Sequence, residues 1–168
     1  MTAANSQTKV AAIRQQVQQS YAQLCALIDG PISALVAAQL YQTPGENEWS
    51  IMQSLAHIQE FLPYWAAEVE KLVAHPGQNF GRTMQDEGRL QALRVHGHDL
   101  LPQLKAAIPG SYARLDAVLS HLQEDDLALT ARHVRFGERT LEWFIGEFIS
   151  THLHNHVVQL RACLSTLA

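Results

Sequence analysis

The sequence is poor in the features that assign a function quickly. It has only two cysteines, Cys25 and Cys163, in 168 residues. Both fall in apolar helical patterns and read as buried free thiols, so no disulfide framework is expected. No apolar run approaches the roughly 20 residues needed to cross a bilayer. The polar start, Met1 to Lys9, lacks the apolar segment of a secretory signal. Lys and Arg total 12 and are scattered, which argues against nucleic acid as the main partner. One local exception, Arg132, Arg135 and Arg139, reads as a solvated turn or hairpin rather than an anion site. There is no Gly-rich phosphate loop and no motif supporting a Ser or Cys nucleophile. With 47% hydrophobic and 17% charged residues and a net charge of −4, neither disorder nor a membrane span is favoured. A single domain over residues 1–168, located by default in the cytoplasm, is the expectation.

Histidine is what the chain has in excess, nine in all. Three of them, His152, His154 and His156, lie within five residues in the apolar stretch from Phe148 to Leu160. A strand would point all three to one face, whereas a helix aligns only His152 and His156. The flanks decide for the helix. Leu141, Ile145, Phe148, His152, His156, Gln159 and Cys163 recur at steps of 4, 3, 4, 4, 3 and 4. The core stripe of a long helix is therefore expected to pass through His152 and His156, with His154 on the flank. Polar rings on a buried stripe need partners.

Three further helices are legible. The first runs from Ser6 to Ile28, stopped by Gly30-Pro31. A short helix or packed connector follows between Ile32 and Leu40, then a turn at Thr43-Pro-Gly-Glu46. The second begins after Ser50, an N-cap with Gln53 three residues on, and ends near Ala74; Pro63 should bend it without ending it. His57 sits one residue off its apolar stripe, on the flank that also carries Phe61 and Tyr64. Residues 75–97 form a long connection, with a helical turn or two from Arg89 to Val95. Such a length suggests that it covers an opening. The third helix runs from Asp99 to Leu122, kinked at Pro109-Gly110. Ala128 to Arg139 reads as a small β-hairpin, Glu124-Asp-Asp126 as a solvated turn, and Thr140 as the cap of the fourth helix. The fold class is thus all-α, an up-and-down four-helix bundle with a long connection between helices 2 and 3.

His152 and His156 are close enough on one helix face to reach one ion. His57, inward on another core helix, completes a facial three-nitrogen set. A zincin needs Glu after the first histidine, but Leu153 is there. An iron site of two histidines and one carboxylate, or a di-iron bundle, needs inward acids that these stripes lack. Tyr64, Trp65 and Trp143 read as core packing before pocket lining, and Gln159 as a group able to orient a ligand or water.

The segments Trp49-Ser-Ile-Met-Gln-Ser-Leu-Ala-His57-Ile and His152-Leu-His-Asn-His156-Val-Val-Gln159-Leu resemble the DinB-like superfamily, named for DNA-damage-inducible genes. Their order, their spacing and the total length agree, so the resemblance covers essentially the whole chain. It implies a divalent metal ion held by His57, His152 and His156 with positions left open. Some members are transferases or isomerases that use low-molecular-weight thiols such as bacillithiol or mycothiol. The partners implied are a small-molecule thiol and an electrophilic substrate, with no membrane; homodimerisation is compatible with such a bundle. Three nitrogens suit Zn, Ni, Fe, Mn or Cu. A metal-assisted hydrolase and a non-enzymatic metal-binding or interaction bundle are the alternatives.

Overall fold

In the computed structural model, which describes residues 8–167, side chains take up free backbone N–H groups where α-helical winding begins at Lys9, Ile51 and Leu141. Helix α1 (Lys9–Leu27) begins where Thr8 accepts the Ala11 N–H; Ser6, the expected start, lies outside the described residues. Glu124 also accepts the N–H groups of Lys9 and Val10, placing a carboxylate at the positive end of the helix. Gly30-Pro31 does not stop the winding. The chain continues as a π-turn, Ile28–Ile32, with the Ser33 N–H bonded to the Ile28 carbonyl at 3.2 Å. Proline lacks a donor and crowds the carbonyl four residues back, and the wider register takes the chain around both problems.

Short α2 (Ala37–Tyr41) leads to α3 (Ile51–Ala74). Its capping box is as expected: Ser50 Oγ accepts the Gln53 N–H at 3.1 Å and Gln53 Oε1 accepts the Ser50 N–H at 3.0 Å. Pro63 lies inside α3 without ending it. Helix α4 (Glu87–Arg94) occupies the long connection, and α5 (Leu101–His121) runs unbroken through Pro109-Gly110. Strands β1 (Thr130–His133) and β2 (Gly137–Thr140) form the antiparallel hairpin, in register Thr130↔Thr140 to His133↔Gly137. Thr140 then caps α6 (Leu141–Ile145) by accepting the Trp143 N–H, and the helix continues through a π-turn, Gly146–Thr151, into α7 (His152–Leu167).

The all-α four-helix bundle is therefore observed, with one refinement of its connectivity. Helices α1, α5, α3 and α7 are neighbours in that order around the core, so the consecutive long helices α1 and α3 lie on a diagonal. That arrangement sets α3 directly against α7. Cys163 is buried, whereas Cys25 is only half-buried, and both are free. No described helix is long and apolar enough to cross a membrane.

The connection after α3 is pinned to the hairpin. Gly77 and Phe80 donate N–H bonds to the Thr130 and Arg132 carbonyls, and Glu68 of α3 accepts the Gly81 N–H. Gly81 has φ +81°, and a Cβ there would stand 2.8 Å from His133 Cδ2, so glycine is required twice over.

Ser50→Ala, which removes the α3 cap, should cost about 1 kcal/mol, read as a lower denaturant midpoint at unchanged slope.

Candidate metal centre

Helix α3 contributes His57, and the first turn of α7 contributes His152 and His156. Their Nε2 atoms converge, His57 to His152 at 3.3 Å and His152 to His156 at 2.9 Å. All three side chains place a ligand nitrogen within 4.8 Å of one another. His57 and His156 are buried, and His152 is half-buried. His154 is exposed on the other flank, as its phase requires.

Aromatic faces fix the rings. Phe61 stacks on His152 with centroids 4.5 Å apart; Trp49 stacks on His156 at 5.9 Å and meets His57 edge-on at 5.1 Å. The far nitrogens are also addressed. His156 Nδ1 lies 3.0 Å from Gln159 Oε1. His57 Nδ1 faces Glu60 Oε2 at 3.6 Å, too long for a hydrogen bond, and has no other partner. Arg82 grips both Glu60 oxygens, at 2.5 and 2.7 Å, and lies 3.8 Å over the Tyr64 ring. Burial disfavours the Glu60 carboxylate, but the His57 ring and the Arg82 guanidinium outweigh it and bring its pKa down to about 2.

These partners set the tautomers. With an acceptor at Nδ1, His156 turns its Nε2 lone pair toward His152 Nε2, and the Glu60 carboxylate facing His57 Nδ1 favours the same form of His57. His152 can give a proton to one of them and not to both, so lone pairs face each other in at least one direction. Protonation does not relieve this. Burial, then the neighbouring rings, push His152 down to about 3 and His156 to about 4. Burial lowers His57 too, against the pull of Glu60. Three neutral nitrogens therefore converge on one point, which is the donor set a cation needs. An ion about 2.0–2.1 Å from each nitrogen fits between atoms this far apart.

Among the described residues no fourth histidine, cysteine or carboxylate joins the cluster. Glu60 stands behind His57 rather than beside it, the place of a carboxylate that orients a ligand. On the open side lie two cavities. One, of about 260 Å³, is walled by Trp65, Phe136 and Phe148. The other, of about 510 Å³, is bordered by Asn47, Glu48 and Gln159. His57, His152, Met84 and Arg89 border both. A closed structural site would have no such opening.

The structure brings together all three histidines that the sequence singled out, and it corrects their surroundings. From Ile149 on, the buried positions are Ile149, Leu153, His156, Val157, Leu160 and Cys163, so Phe148 and His152, both half-buried, leave the core stripe and turn to its edge. The π-turn just before His152 inserts the extra residue that causes this shift. Gln159 orients His156 rather than an incoming ligand. Trp65 both packs in the core and lines the smaller cavity, while Tyr64 lies under Arg82 and Trp143 against Phe144 and Phe148. The connection expected to cover an opening does so through Arg82, Met84 and Arg89. Of the three hairpin arginines, Arg135 borders the smaller cavity and the other two do not line it. Glu60 and Arg82 were not singled out; their one sequence signal is a glutamate one helical turn after His57.

The fold and site define a class: a four-helix bundle with an open three-histidine centre between two adjacent core helices. The chain belongs to the DinB superfamily, whose sequence profile matches residues 31–160. Among solved structures it is similar in fold to YfiT from Bacillus subtilis, at TM-score 0.77 and 15% identity over 99% of this chain and 93% of that one. YfiT is described as a probable metal-dependent hydrolase with an unusual four-helix bundle topology. No curated protein matches the sequence.

Elemental analysis of untagged protein should find near-stoichiometric divalent metal in the wild type and almost none in a His57→Ala, His152→Ala double variant. Undiminished metal in that variant would place the ion elsewhere. Gln159→Leu, which frees His156 Nδ1, should weaken metal affinity by about 10–100-fold, measured by competition with a chelating dye.

Proposed function

We propose that the chain is a metal-dependent transferase that joins a low-molecular-weight thiol to an electrophilic small molecule. The observation that carries this reading is the meeting of two unlike cavities at the His57–His152 edge. Two organic reactants can approach one point from different sides, which a reaction of one substrate with water does not require.

A divalent ion held by His57, His152 and His156 would supply Lewis acidity and ease the loss of a proton from a thiol or water beside it. The chain's own groups prepare that site. Gln159 holds His156 in the form that leaves Nε2 free, and Glu60, itself fixed by Arg82, faces His57 Nδ1. Because all three rings are neutral, they leave the charge of an ion uncompensated. The cavity bordered by Asn47, Glu48 and Gln159 suits a polar thiol, and the aromatic one suits the electrophile. Action in the cytoplasm on small molecules, without nucleic acid or membrane as partner, completes the reading.

A metal-assisted hydrolase is the second reading, favoured by the likeness in fold to YfiT and its description. It would use the same ligands, with water in place of the thiol. A non-enzymatic metal-binding bundle has the open cavities against it.

Metallated protein should be assayed with a panel of low-molecular-weight thiols and electrophiles, following thiol loss and ester cleavage together. Consumption of one thiol that needs the ion supports the transferase. Ester cleavage without thiol would replace it by the hydrolase, and neither activity at full metal occupancy would leave the binding bundle.

A further inference from the structure

We propose that the aromatic cavity beside the three histidines binds a small organic anion, its apolar body between Trp65, Phe136 and Phe148 and its carboxylate-type group at Arg89. As a statement about the electrophile this rests on the transferase reading; as a statement about binding it stands on the cavity.

Three arginines and no carboxylate line this cavity. Arg82 is already committed, to Glu60 and to Asp86 at 2.8 Å. Arg89 is not. It donates to the Met84 carbonyl at 2.9 Å and lies 5.4 Å over the Trp49 ring, but forms no ion pair among the described residues. Asp86, three residues before Arg89, is held by Arg82 and by the Arg89 backbone N–H that it caps. Among the described residues Arg135 also lacks an ion pair, and it sits 5.1 Å over Phe136. Burial, and then the Arg82 charge, lower the proton affinity of Arg89, and the Glu60 and Asp86 carboxylates, both held by Arg82, only partly offset this. An anion at that position relieves it.

The walls call for an apolar body. Trp65 and Phe148 stack at 4.6 Å, and Phe136 meets Phe148 at 5.8 Å. At the mouth Met84 and Val134 are 58% and 76% exposed, large apolar side chains left at a surface that none of the described residues covers. The wider cavity differs, since it carries Glu48 beside Arg89, so the unbalanced positive charge belongs to the aromatic side. At about 260 Å³ the cavity is smaller than the roughly 300–1,000 Å³ usual for drug-sized ligands, which limits the body to one or two rings. Arg89 borders both cavities, so the anionic end lies toward the histidines and the body away from them.

The test is calorimetric titration of the metallated full chain with 2-naphthoate and with its neutral counterpart 2-naphthamide. A charge-assisted contact predicts that naphthoate binds at least about tenfold more tightly. In Arg89→Gln that preference should fall to about threefold or less, with naphthamide binding unchanged, while Phe148→Ala weakens both ligands. Arg114→Gln, at an arginine of α5 paired with Glu70, should change neither. Equal affinities in the wild type would overturn the proposal. So would a preference that survives Arg89→Gln, which would assign the anion to the metal, or binding untouched by Phe148→Ala, which would put the ligand elsewhere. Absence of thiol transfer alongside the expected titrations would sink the transferase reading and leave this site standing.

Discussion

Three imidazole nitrogens turned toward one point in a buried place are costly unless something positive lies between them. The rest of the site follows from that constraint. Each ring must be held against its own tendency to rotate away, and Phe61 and Trp49 do so by stacking on the rings. The far nitrogens must be occupied so that the near ones stay free, which falls to Gln159 for His156. For His57 the nearest acceptor is Glu60, whose own position is set by both arms of Arg82. Arg82 lies in the connection after α3, so a loop residue fixes a helix residue that faces a ligand. The site therefore depends on how that loop is tied down.

The ties are backbone bonds that reach across the fold. Gly77 and Phe80 pair with β1, and Glu68 takes the Gly81 N–H. The hairpin, peripheral to a four-helix bundle, thereby becomes part of the site's support. The π-turn before His152 acts from the other side. By moving Ile149 and Leu153 onto the core stripe, it brings His152 and Phe148 to the edge of the helix, one toward the other histidines and the other into the aromatic cavity.

Features set by local chemistry were legible in the sequence. Ser50 with Gln53 and Thr140 each mark a helix start by a hydrogen bond three residues long, and the structure has both. The three histidines were legible because helical phase links His152 to His156 and puts His57 on an inward flank of another core helix, and the family resemblance names the same three. Features set by non-local packing were not. Nothing in Gly146–Thr151 announces a π-turn, since the same residues suit an ordinary helix; only the fit of α7 against α1 and α3 selects it. Gly30-Pro31 looked like a stop for the same reason, because a local rule does not report that a wider turn is available. Arg82 and Arg89 sit in a stretch without periodicity, and their place beside the histidines is decided by bonds to residues some fifty positions later.

The distribution of unmade hydrogen bonds shows where this fold stores its cost. Among the described residues four buried side-chain polar atoms lack a partner: His57 Nδ1, Trp65 Nε1, His133 Nε2 and Ser150 Oγ. Three of the four belong to residues that border the aromatic cavity. Burial lowers the proton affinity of His133 against the pull of the Arg82 main chain, and no bond to its Nε2 is completed. Each such atom costs about 1–3 kcal/mol, against a total stability of roughly 5–15 kcal/mol for a domain. A random scatter of defects would not gather on one side of one helix pair. The apolar core formed by α1, α3, α5 and α7 carries that cost, and all of it but Ser150 falls on the walls of a cavity that opens beside the histidines. Ions and ligands that bind only the folded chain add their binding free energy to its stability. The place where the free protein is least satisfied is thus the place where occupancy returns most.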